Sequence, residues 1–183
     1  MHRNRQSLTA GLCSVVGILC LAAGAQSATT GSLSPVDRAF MMKASEGNSG
    51  EIAAGKMAEN NAGSNTVRLL GKRYVDNHST NEEHLAMLAA EFGVKLRERP
   101  TANDRADGSR LDMLQGRTFD TAFLQEEQQD HLKTIALFER EIARGSNPQV
   151  VAYAKKSLPV LDEHLLLATD DAGRMRMTSQ TLR

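Results

Sequence analysis

The sequence predicts an all-α protein folded as an antiparallel four-helix bundle, and three observations carry that expectation. Four long segments repeat their apolar residues at helical spacing, turn-forming residues punctuate the junctions, and no stretch alternates with the period of two that a half-buried strand requires. With 183 residues, 40% apolar and 24% charged, the chain is long enough for one well-filled core.

The first 25 residues stand apart from the rest. His2, Arg3 and Arg5 precede an apolar run from Leu8 to Ala25 that closes on Ala23-Gly24-Ala25, the small-x-small pattern of a cleaved secretory signal. Ser7, Thr9 and Ser14 lie in or beside the run and a polar linker, residues 26–33, follows it, which favours cleavage after Ala25 over a retained anchor. Leu12 and Leu19 stand where a lipoprotein signal needs a small residue before its cysteine. Both cysteines, Cys13 and Cys20, fall in this segment, so the mature chain is expected to have no disulfide and no thiolate metal site. The expected address is across the inner membrane, in the periplasm or peripheral to the envelope.

The bundle is expected over residues 34–170. Ser34-Pro35 with Asp37 starts helix A, which should reach Glu59 and bury Val36, Phe40, Ala44, Ala54, Met57 and Ala58. Gly47 and Gly50 lie inside it, each costing roughly 1 kcal/mol relative to alanine, and predict either a kink or a close neighbour. Ser64 caps helix B, which should run to Phe92 and turn Val67, Tyr74, His78, Leu85 and Leu88 inward. Gly93 to Arg117 is a long connection with a short helix expected from Ser109 to Leu114. Helix C should start at Thr118 and end at Arg144, where Gly145-Ser146-Asn147-Pro148 stops it and restarts the chain as helix D. Helix D should end near Thr169, with Pro159 kinking it, and residues 171–183 should form a flexible tail.

The apolar faces carry a polar interruption. If Leu124, Phe138 and Ile142 define the inner face of helix C, Glu127 and His131 fall inside the same arc, one turn apart. His78 and His164 lie on the inner faces of helices B and D. In an up-down-up-down bundle the A/B and C/D turns share one end, and the three histidines then lie about 16, 15 and 18 residues from it, level to about 5 Å. Glu51 is directed inward nearby and Glu82 is one turn from His78.

Three inward imidazoles with Glu51 and Glu127 have the donor chemistry for iron, manganese or zinc. A single helical histidine is more often part of a buried network, satisfied by a carboxylate or a carbonyl, than a metal ligand. The di-iron Glu-x-x-His pattern is missing, since Val75, Gln128 and Leu161 stand three residues before the histidines. No Ser-His-Asp spacing or phosphate loop is present, and Met41, Met42, Met57 and Met87 read as core filler. Nucleic acid is not an expected partner: 22 acidic residues balance 22 basic ones, there is no tryptophan, and no basic stripe occurs.

Four blocks resemble the domain-of-unknown-function 4142 family: Glu51 with Gly55; Tyr74-Val75-Asp76-Asn77-His78; Phe119-Asp120-x-x-Phe123-Leu124 leading to Asp130-His131; and Leu158-Pro159-x-Leu161-x-x-His164-Leu165. The resemblance covers Pro35 to Thr169, and one departure is Asn77, where the family usually carries an acid. It implies a ferritin-like bundle of the bacterial envelope, with no settled activity. The outer-membrane label often given to such proteins finds no support in the mature sequence, which has neither an apolar span nor alternating barrel strands. The favoured function is that of a structural, stress-related or partner-binding protein, docking an envelope protein or a second copy of itself; the alternative is a metal-binding or metal-dependent redox protein using His78, His131, His164, Glu51 and Glu127.

Overall fold

The structure, a computed structural model, describes residues 32–181, with side chains through 177. The signal peptide expected at 1–25 and all but the end of the linker at 26–33 lie outside the described residues. Five helices follow in order: α1 Pro35–Asn61, α2 Asn65–Glu91, α3 Ala102–Asp112, α4 Gly116–Arg144 and α5 Pro148–Thr181.

The expected caps form. Asp37 N–H donates to Ser34 Oγ at 3.2 Å while Ser34 N–H donates to Asp37 Oδ2 at 2.7 Å, a reciprocal box that fixes the start of α1. Ser64 Oγ accepts from Val67 N–H at the start of α2. The short helix is longer and earlier than expected, because Thr101 and Asp104 make a second reciprocal box ahead of it. The last helix also runs past its expected end near Thr169: α5 continues to Thr181, and Asp171, buried, pairs with Arg174 at 2.8 Å. Helix α5 is continuous through Pro159 and α1 through Gly47 and Gly50. Val36, expected inside, is exposed.

The close approach lies elsewhere on α1. A Cβ at Gly55 would stand 2.6 Å from the Gly71 carbonyl oxygen, and one at Gly71 would stand 2.5 Å from Ala58 Cβ, so α1 and α2 touch backbone to backbone there. At Gly47 a Cβ would meet open space.

The bundle is antiparallel between neighbours, but its chain path differs from up-down-up-down. The α1–α2 turn meets the start of α4, where Gly63 N–H and Ser64 N–H donate to the two oxygens of Asp120 at 2.9 Å. The α4–α5 turn meets the start of α1, where Ser146 N–H donates to Asp37 Oδ1 at 2.9 Å. The two turns therefore lie at opposite ends, and α1 runs antiparallel to α4, as Phe40 against Phe138 at 4.9 Å confirms. The connection between α2 and α4 travels the length of the bundle, with α3 packed on α1 and α4. A 29-residue helix is about 43 Å long, which accounts for a connection of this length.

Two apolar clusters fill the interior. Phe40, Met41, Leu85, Phe138, Val150 and Leu161 form one, and Ala58, Leu70, Phe119, Phe123, Leu124 and Ala168 form the other. Between them, in sequence on every long helix, lies a buried polar layer. Among the described residues no helix is long and apolar enough to cross a membrane.

Candidate metal centre

His78 on α2, His131 on α4 and His164 on α5 are no more than 1% exposed, and one ring nitrogen of each lies within 4.8 Å of the others. Tyr74, one turn before His78, lies against two of them, with its ring centroid 5.0 Å from His131 and 4.5 Å from His164. Its hydroxyl donates to the His164 carbonyl at 3.3 Å.

Hydrogen bonds assign the tautomers. A carbonyl can only accept, so His131 Nδ1, 2.9 Å from the Glu127 carbonyl, carries the proton and Nε2 is bare. His164 Nδ1, 3.2 Å away, then donates to that bare nitrogen, and Asn77 Nδ2 donates to His164 Nε2 at 3.0 Å. Asn48 Nδ2 donates to Glu82 Oε2 at 2.9 Å, which turns Asn48 Oδ1 toward His78 Nδ1 at 3.0 Å. His78 thus carries its proton on Nδ1, and its Nε2 is a buried lone pair with no hydrogen-bond partner among the described residues.

Burial, and then the neighbouring His131 and His164, hold His78 well below the usual imidazole range. Burial lowers His164 to about 3, helped by His131 and Arg73. Both are therefore neutral at physiological pH, the form that ligates metal. Burial above all pushes the Tyr74 phenol far up, so it stays protonated.

All five residues singled out from sequence converge, but in two groups hinged on His131. Glu51 Oε1 and Glu127 Oε2 approach His131 Nδ1 at 3.8 and 3.5 Å, on the side away from His164. Burial, reinforced by the negative charge of Glu51, holds Glu127 well above the usual carboxylate range. Glu82, placed beside His78 by spacing, reaches it through Asn48 and also accepts from Ser45 Oγ at 2.6 Å. Ser45, Asn48, Tyr74 and Asn77 escaped the sequence reading as site residues. Ser45, Asn48 and Glu51 recur every three residues, a polar stripe along one face that could have disclosed them.

The sequence pattern of the family described as "Domain of unknown function (DUF4142)" matches residues 22–170, most of the chain. The chain belongs to the DUF4142 family. A solved structure described as a DUF305 fragment from Deinococcus radiodurans superposes on this DUF4142 chain with a TM-score of 0.71 at 13% identity, over 79% of this chain and 99% of that one. At that identity the likeness is one of fold. No protein with a curated description matches the chain.

Proposed function

We propose that this DUF4142 protein is an exported helical bundle that binds one first-row divalent metal ion through His78, His131 and His164. The observation that carries the reading is the convergence of three buried imidazoles from three helices, one nitrogen of each within 4.8 Å of the others. Metal–nitrogen bonds of about 2.0–2.1 Å at a tetrahedral angle place ligand nitrogens about 3.3 Å apart, and His131 Nε2 and His164 Nδ1 are already 3.2 Å apart. An all-nitrogen set suits zinc or iron better than manganese, which prefers oxygen. Loading needs His164 to carry its proton on Nε2, with the Asn77 amide turned to accept it. The N-terminal signal pattern supports a periplasmic or envelope location.

A second reading has its own observation. Five of the six ring nitrogens already have partners within the protein, so the layer can hold itself as a packing and register device in a structural or partner-binding protein. Metal analysis separates the two. Chelator-stripped protein offered zinc or iron should retain about one equivalent after desalting, and His131→Ala, folded by circular dichroism, should retain none. Wild-type protein that retains none leaves the packing reading.

A further inference from the structure

A cleft of 860 Å³ opens between α1, α3 and α4, and Glu51 and Glu127 lie at its floor. They are 7% and 3% exposed, and Oε2 of each is buried with no hydrogen-bond partner outside the pair among the described residues. His131 cannot satisfy them, since its Nδ1 proton is already given to the Glu127 carbonyl. Asn48 and Glu82, which serve His78, are engaged with each other.

The cleft walls are acidic. Eight carboxylates and three bases line it. Arg97 pairs with Glu46, Arg110 with Asp107 and Glu126, and Lys133 with Asp130, so the rim is largely neutralised. Among the described residues no lysine or arginine pairs with the two carboxyl groups at the floor. Two buried carboxyl groups facing each other beneath a cleft favour a cation between them.

We propose that Glu51 and Glu127 form a second cation site, separate from the nitrogen centre, that takes a hydrated divalent ion of the manganese type at the floor of the α1/α3/α4 cleft. Oxygen donors are what such ions select, and the cleft has room for the waters that complete their coordination. His131 is the wall between the sites, its Nδ1 side toward the carboxylates and its Nε2 side toward His164. The inference uses atoms that the three-histidine reading leaves aside, so each can fail alone.

The test is a Mn²⁺ titration followed by electron paramagnetic resonance, in which the signal of the free aquo ion is lost on binding. Wild-type protein and His78→Ala should each bind about one Mn²⁺, because His78 contacts neither carboxylate. Glu51→Gln and Glu127→Gln, which keep side-chain shape, should each bind at least tenfold more weakly while keeping wild-type zinc uptake. Wild-type Mn²⁺ affinity in both glutamine variants, or no Mn²⁺ uptake by wild-type protein, overturns the proposal. Failure of the wild-type protein to take up zinc, with its Mn²⁺ binding intact, would sink the nitrogen centre and leave the carboxylate site standing.

Discussion

Asn48 and Asn77 decide which histidine nitrogens face one another. Asn48, held by Glu82, keeps the His78 proton on Nδ1 and leaves Nε2 bare. Asn77 donates to His164 Nε2 and so keeps the His164 proton on Nδ1, where it points at His131. The first arrangement favours a metal and the second opposes it. Outer residues of this kind typically change metal affinity by roughly 10–100-fold. Asn48→Ala should therefore weaken zinc binding by about that factor, and Asn77→Asp, whose carboxylate can only accept, should tighten it; competition with a chelating dye measures both. Equal affinities in the two variants would mean that tautomer control is unimportant. The histidines themselves were legible in the sequence, because a helix of known face places every residue to within a few tens of degrees. Their partners were not, since Gly47-Asn48-Ser49-Gly50 looks like a helix breaker and its asparagine like a turn residue.

Elements differ in how firmly they are tied. Helices α1 and α2 meet at Gly55 and Gly71, where a methyl group would overlap backbone atoms. Gly71→Ala should destabilise the protein by about 1–3 kcal/mol through overpacking, and Gly47→Ala, facing open space, should stabilise it by up to about 1 kcal/mol. Thermal melts of the two variants should move in opposite directions. The start of α1 is clasped to the α4–α5 turn by Asp37, next to buried Glu141. Burial, and then Asp37, raise Glu141 from 4.5 to about 7. The folded state therefore binds more protons than the unfolded one between those values, and this contribution is full below about 4.5 and lost as pH rises through 7. Hydrogen bonds hold Asp37 below the usual carboxylate range against the opposing effect of burial, so its own contribution is lost only in strong acid. Stability should fall by up to about 3 kcal/mol between pH 5 and 8, and Glu141→Gln should flatten that fall; denaturant titration across the range checks it. Helix ends were read unevenly. The Ser34 and Ser64 caps were plain, whereas the Thr101–Asp104 box was overlooked inside a charged connection. The last turns of α5 carry little apolar periodicity, and their helicity is supported by contacts such as Arg117 donating to the Met175 carbonyl.

The chain path departs from the up-down-up-down order expected from sequence, yet the histidines still meet at one level. Counting from shared turns assumes up-down-up-down, whereas the long connection crosses the bundle and reverses the last two helices. The heights survive because His78 and His131 lie at the middle of α2 and α4, and a mid-helix residue keeps its level when its helix is inverted. The layer they form interrupts the core between two apolar clusters, where burying polar groups is costly unless partners or a ligand compensate. The most direct measurement is X-ray absorption on zinc-loaded protein. Zinc should show three imidazole nitrogens at about 2.0–2.1 Å with one further light atom, and the imidazole scattering should be lost in His131→Ala. A shell of oxygen atoms without imidazole, or zinc that washes away before measurement, would contradict the three-histidine centre.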